Sequence, residues 1–594
     1  MVPYRSALAI SVLALSVQAV WVASARADEP KATLTGDMSA DLRQFLVTAV
    51  GTVDGPPASR LEARRRADAA AADVYIALAS RGYYGNHITR DVEGDNPGRA
   101  VVTIETGPQF KIAVPLITWL GTPPPDDIQH AAETAMGLEE GAPGQNADLL
   151  AAQGRIVAAV QQRGYADAAS DGNQPEIIVD HDSRSVIPEF KMVAGPLVRL
   201  GGIDLRTDGR TNPVWVRQLG PWAEGDVYDP KDVAELDRRL HDVQVYESVT
   251  VALGHADAER DGLRRIVVSV ADRAPSTLEL GADYSTIEGA GFDARLQRFN
   301  RAGRADTQTF LIQYGHLQSK LDGQISLPHW RIDDRTLTIG TGLYANQTDA
   351  YDSAGGNVRA DVTRHYSKTS YRTFGLTLDS ENIQERFPFT RSRQVTSVTG
   401  LGALAWDRSN DPLNPSTGWR LDGRLEPTFA AGSASPLYIR AVAQGTLYFP
   451  LGKEAKTVLA GRLKLGSIYG ASVFDVPASQ RFYSGGGGSI RGYDYQGVGP
   501  KFSNNTPEGG LGLFESSFEV RQQFTQKWGG VVFADVGSVS LASAPDFSHT
   551  SAGVGFGARY NLGFGPIRAD IAIPLSRHKG DAPFSVYLSV GQSF

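Results

Sequence analysis

The 594-residue chain contains no cysteine. That excludes a disulfide framework, a thiol nucleophile and any thiolate-ligated zinc or iron–sulfur centre. Its ten histidines are scattered singly, with no H-x-x-x-H pair, so no metal site is expected. Basic excess is also missing: 58 Lys and Arg stand against 66 Asp and Glu, a net charge of −8, which argues against a nucleic-acid partner. There is no G-x-S-x-G nucleophile elbow. Three stretches match the loose dinucleotide pattern G-x-G-x-x-A, at 340–345, 400–405 and 553–558. All three lie in alternating, strand-like sequence and none opens a helix after a βα turn, so they read as structural glycines. The chain is therefore expected to be no enzyme, with no catalytic residue, no metal and no cofactor. Long apolar runs are absent beyond residue 27, where nothing approaches the roughly 18 residues that a membrane-spanning helix needs.

Residues 1–27 hold Arg5 in a short basic region, an apolar stretch from Ala7 to Val22, and Ala25-Arg26-Ala27 before Asp28. This pattern predicts a secretory signal peptide, and hence an exported protein whose membrane span must be built from strands. From Asp28 to about residue 250 the sequence repeats itself. Helical stretches open at Ser59 with Glu62 as a capping box, near Asn146, and at Asp229-Pro230. Tyr83, Tyr165 and Tyr246 close them, 82 and 81 residues apart. Each tyrosine is followed by two strands and an apolar strand that opens the next copy. The prediction is a β-α-α-β-β unit of about 80 residues occurring three times, over 28–107, 108–195 and 196–274.

From Pro275 onward, helical periodicity gives way to alternation, as in STLELGADYS and PLYIRAVAQGTLYF. Abundant glycine (64) and 52 aromatic residues suit many short strands and tight turns. A soluble sandwich alternates in the same way. The export signal, the unbroken strand pattern, the aromatics near strand ends and the final segment favour a membrane barrel over 275–594. Those 320 residues, at roughly 20 per strand and connection, supply about sixteen antiparallel strands that close on themselves. The last segment, FSVYLSVGQSF, places Val586, Leu588 and Val590 on one face and stops at the aromatic Phe594.

One constellation stands out. In FYSGGGGSIRGYDY, four glycines lead to Ile490, Arg491, Gly492 and Tyr493. A guanidinium folded into a lumen needs carboxylates. Asp535, in the Phe-x-Asp-x-Gly run with Phe533 and Gly537, and Glu519, on one face with Ser517 and Arg521, are the candidates. The glycines let the backbone fold tightly and approach the wall. Spacing alone leaves open an exposed loop, with Asp535 one lumen charge among many.

SGGGGSIRGYDY resembles the (V/I)-R-G-(F/Y) loop of the outer-membrane assembly-factor family that includes BamA, TamA and the two-partner-secretion transporters. VFADVG and SFEVR resemble its Phe-x-Asp-x-Gly and Ser-x-Glu strand motifs. DRSNDPLNPSTGWRL at 407–421 looks like its periplasmic turn, and 558–575 like its penultimate hairpin. The β-α-α-β-β units look like POTRA domains. The resemblance implies an outer-membrane barrel with periplasmic repeats. It also implies a lumen loop anchored by Ile490, Arg491, Gly492 and Tyr493 on Asp535, Glu519, Phe533 and Gly537. Val590 and Phe594 would then be the end of a last strand that meets the first at a weak seam. Three units point toward TamA, since BamA typically has five. The partners implied are outer-membrane lipid, β-barrel clients of the autotransporter kind and an inner-membrane-anchored TamB-like protein. A BamA-like core insertase, a secretion pore for one unfolded exoprotein and a purely structural tether are the competing readings.

Overall fold

The computed structural model describes residues 28–594 except 257–261, 286–288, 368, 387–390, 433–435, 453–454, 563–565, 578–581 and 591. The expected signal peptide lies outside the described residues. Among them, no helix is long and apolar enough to cross a membrane. The chain forms two compact units, one reaching residue 199 with 226–230 added, the other comprising 200–225 and 231–594.

The first unit contains the β-α-α-β-β order twice. Strand Thr33–Thr35 precedes α1 (Ala40–Val50), α2 (Arg60–Ser80) and strands His87–Glu93 and Arg99–Glu105. The last strand is central, parallel to the first and antiparallel to its predecessor. Ser59 caps α2 as expected, the Glu62 backbone N–H donating to its hydroxyl, while the Glu62 carboxylate accepts the N–H of Ala58, one residue before the cap, in place of the cap's own. The buried face of α2 is mostly alanine (Ala63, Ala67, Ala70, Ala71, Ala77), which seats the helix closely on Val102 and Ile104. The second copy runs through strand Leu116–Trp119, α3 (Asp126–Met136), α4 (Asn146–Gln161) and strands Glu176–Asp180 and Ser185–Val193. Ile128, Ala132 and Met136 on α3, and Ala152, Ile156 and Val160 on α4, each spaced by four, cover Phe190 and Met192.

The second unit begins with the third copy: strand Leu200–Arg206, α5 (Pro213–Arg217), α6 (Pro230–Asp242) and strands Tyr246–Leu253 and Arg264–Asp272, paired as in the others. Two turns of the following barrel grip it. Arg238 and Arg239 of α6 pair with Asp334 at 3.0 Å and Asp333 at 2.9 Å. Asn300 donates to the Thr211 hydroxyl at 3.0 Å and to Asp272 at 3.2 Å. On α6 itself, hydrogen bonds from Arg238 and then Arg239 hold the Glu235 carboxyl down at about 2.

The rest is a closed barrel of sixteen antiparallel strands in chain order, the number expected. They are β1 (Ser276–Ser285), β2 (Gly289–Phe299), β3 (Thr307–Gly315), β4 (Gln318–Leu327), β5 (Arg335–Gln347) and β6 (Tyr351–His365). Next come β7 (Tyr371–Glu385), β8 (Arg391–Asp407), β9 (Gly418–Ala431), β10 (Leu437–Leu451) and β11 (Thr457–Tyr469). The last five are β12 (Gly512–Gln523), β13 (Trp528–Ser540), β14 (Ser551–Asn561), β15 (Pro566–Pro574) and β16 (Ser585–Val590). Alternation turns Leu278 and Leu280 on β1, and Phe374, Leu376 and Leu378 on β7, outward as an exposed apolar surface, the one stable arrangement against lipid.

The lumen is not uniformly polar, as simple alternation suggests. The connection from β11 to β12 is residues 470–511, and it folds back inside. Val473, Val476, Ala478, Phe482 and Leu511 from the loop form a buried apolar core with wall residues including Ile383, Val395, Tyr438 and Ile468. The reason is the loop itself: a long segment brought into the barrel needs its own apolar contacts to offset the entropy of ordering it.

Candidate functional site

The tip of this loop brings together every residue of the expected anchor. Arg491 is 2% exposed, and Glu519 and Asp535 are fully buried. The Arg491 Nε and Nη2 donate to the two oxygens of Asp535 at 2.7 and 3.0 Å, and its backbone N–H donates to Asp535 at 3.1 Å. Its Nη1 donates to Glu519 at 2.8 Å. The guanidinium carbon stands 3.4 Å from the centre of the Phe533 ring, a cation–π contact out of reach of water. Each position of Phe-x-Asp-x-Gly thus has a separate task. Phe533 lies under the cation, Asp535 takes its fork, and Gly537 leaves room for Ile490, whose Cδ1 would lie 2.8 Å from a Cβ there. Tyr493 is buried. Its hydroxyl donates to the Ala552 carbonyl at 3.1 Å and accepts the Ser576 N–H at 3.3 Å. The Gly492 N–H donates to the Tyr587 hydroxyl at 3.1 Å.

Three participants escaped the sequence reading. Asp570 on β15 accepts from Arg491 Nη1 at 3.3 Å and from Arg559 of β14. Tyr587 on β16 is buried under the loop. Gly553 on β14 gives the closest approach: a Cβ at that position would stand 2.0 Å from the Arg491 carbonyl oxygen. Asp570 had a signal, an acid two residues from Arg568 on the same strand face; Tyr587 had one as the aromatic flanked at i±2 by Ser585 and Ser589.

Gly553→Ala is expected to push the loop off the wall and destabilise the barrel by about 1–3 kcal/mol, the usual range for overpacking. Gly445→Ala and Gly461→Ala, where no atom lies within 4 Å of the added Cβ, are expected to leave it unchanged. The midpoint of the heat-induced mobility shift of the folded barrel distinguishes them.

The second feature is the junction that closes the barrel. Among the described residues, β1 and β16 pair only through Tyr284 with Leu588 and Ser285 with Tyr587. The flanking ladders hold ten pairs (β1–β2) and six (β15–β16). The wall is also lowest here. Strands β1–β4 have 9–11 residues and β14–β16 have 6–11, whereas β5–β11 have 13–17.

The end of the chain departs from expectation. Val590, opposite Ile567, closes the last strand; its side chain lies outside the described residues. Phe594 does not end that strand but turns into the lumen. Its ring packs on Tyr448, Val458 and Ala460, with Arg462 and Arg521 each 5.3 Å from the ring centre. The side chain of Gln592 accepts from Arg559 Nε at 3.0 Å, and the Ser593 hydroxyl donates to Glu519. Lumen arginines thus offer the last residues more partners than the short wall strand does.

Residues 300–594 match the Omp85 superfamily domain. The outer membrane protein assembly factor BamA of Neorickettsia risticii is 23% identical over 446 residues, covering 71% of this chain and 58% of that protein. The BamA of Nitratidesulfovibrio vulgaris is 22% identical over 397 residues, covering 61% and 48%. The chain spans about half the length of the curated relatives it matches. The crystal structure of Haemophilus ducreyi BamA lacking POTRA domains 1–3 superposes with a TM-score of 0.67 at 17% identity. It covers 81% of this chain and 100% of that one, so the two share a fold.

Proposed function

Residues 300–594 make this chain a member of the Omp85 superfamily, and from that premise we propose that it inserts β-barrel clients into the outer membrane through the junction of β1 and β16. The observation that carries this reading is the two-pair seam. Backbone groups unpaired in lipid are costly, and most of the β1 edge, from Ser276 to Asp283, has no β16 partner among the described residues. A client strand satisfies that edge by antiparallel addition. The short seam strands lie at or below the roughly 9–11 residues that span a bilayer, so lipid beside them thins, which lowers the barrier to insertion.

The finer reading is TamA-like: clients of the autotransporter kind and a TamB-like inner-membrane-anchored partner at the repeats. Its support is the count of three β-α-α-β-β copies. A secretion pore is disfavoured by the lumen, where exporting a chain requires displacing the apolar core formed by Val473, Val476 and Phe482 with the wall.

The test uses proteoliposomes holding the full chain and an unfolded barrel client with one lipid-facing cysteine in its last strand. Single cysteines at 278 and 280, on the outward face of β1, should crosslink to the folding client while those at 277 and 279 do not. A parallel set of single cysteines is placed in the 470–511 loop, and crosslinks confined to that set would sink the seam reading in favour of passage through the lumen.

A further inference from the structure

The lumen loop stands on a second foot, on strands four to eight places around the barrel from those that bind Arg491. Arg393 of β8 is 3% exposed. Its Nη1 donates to the Phe474 carbonyl at 3.0 Å and its Nη2 to the Asp475 carbonyl at 3.1 Å. Arg481, in the loop, donates through Nε to the Val476 carbonyl, through Nη1 to the Glu508 carbonyl and through Nη2 to Glu385 of β7, each at 3.1 Å. The Glu385 carboxylate also lies 3.5 Å from Arg393. One acid therefore orients two guanidiniums, which between them hold backbone carbonyls from both limbs of the loop. The Ser479 hydroxyl adds a bond to Glu381 at 2.7 Å.

The opposite end of the loop rests on the seam strand. Besides the Gly492 bond to the Tyr587 hydroxyl, Gly487 presses on the Tyr587 ring, which would lie 2.8 Å from an added Cβ. Tyr587 is one of the two β16 residues that pair with β1 among the described residues. The loop therefore runs from the β7–β8 wall to the strand that closes the barrel. A segment fixed at one end pivots, whereas one fixed at both ends transmits position through packed contacts.

We propose that Glu385, Arg393 and Arg481 are positioning residues that brace the lumen loop so that its tip holds β16 against β1, making the far wall a determinant of seam opening. This rests on the seam reading only in taking β16 as the strand that moves, and a chain inactive on clients still shows it.

The chain has no native cysteine, so Tyr284→Cys with Leu588→Cys, directly opposite in the seam, gives a single reporter pair. The full-length protein in liposomes is treated with a mild oxidant, and disulfide formation is timed on the folded fraction alone. Glu385→Gln and Arg393→Gln are expected to slow the crosslink on the order of tenfold, the factor equivalent to one charge-assisted hydrogen bond. Arg359→Gln, which breaks the lumen ion pair to Asp322 at 2.8 Å, is expected to leave the rate unchanged. A rate in the foot variants equal to the parent's, with or without new protease cleavage of the loop, overturns the coupling and leaves a local clamp. Equal slowing by Arg359→Gln overturns it as general loosening. If the glutamine variants do not fold, Arg481→Lys, which keeps the charge and loses the fork, is read by the same two criteria.

Discussion

Replacing Arg491 by alanine is expected to destabilise the folded barrel by about 3–5 kcal/mol, because removing one member of a buried ion pair leaves the other charge uncompensated. The burden falls unevenly. Glu519 keeps Arg521 at 2.9 Å and Ser593, and Asp570 keeps Arg559. Asp535 receives bonds only from Arg491 among the described residues, so it becomes the orphan. Adding Asp535→Asn to Arg491→Ala should therefore recover part of the loss, a non-additivity expected of groups in contact. Arg491→Lys should fall between, since a lysine restores the charge but cannot reproduce the planar fork or the stacking on Phe533. The midpoint of the heat-induced mobility shift, with protease sensitivity across 470–511, measures all three. An unchanged midpoint in the alanine variant, or no recovery on adding Asn, contradicts the anchoring role.

How much of this was legible in the sequence depended on the range of the interaction. The repeats were visible because each is built from local signals: a helix cap at Ser59, helices with buried residues four apart, and a closing tyrosine. The convergence of Asp535 and Glu519 on Arg491 was visible because the two acids lie on adjacent strands, where parity alone decides the face. Asp570 and Tyr587 sit on strands whose register against the loop no local pattern sets. The inward turn of Phe594 depends on Arg462 and Arg521, more than 70 residues away. The apolar core of the lumen was obscured for another reason. Period-two alternation tells inside from outside but not height along the barrel. Ile383 and Val395 share the inward face with acids and arginines such as Glu381, Glu385 and Arg393. Only the returning loop shows why that level of the wall is apolar.

Insertion through the seam requires β1 and β16 to part. With no cysteine elsewhere in the chain, the Tyr284→Cys and Leu588→Cys pair locks the seam when oxidised and frees it when reduced, without altering the repeats or the loop anchor. An antiparallel ladder of two pairs, worth a few weak cross-strand contacts, opens readily; a disulfide across it does not. In proteoliposomes, the locked protein is expected to fold an unfolded barrel client no faster than empty liposomes do, and reductant is expected to restore the parent rate on the same sample. The decisive measurement is that client-folding rate before and after reduction. Loss on oxidation and recovery on reduction is the predicted result; a locked chain that still folds its client at the parent rate contradicts insertion through the seam.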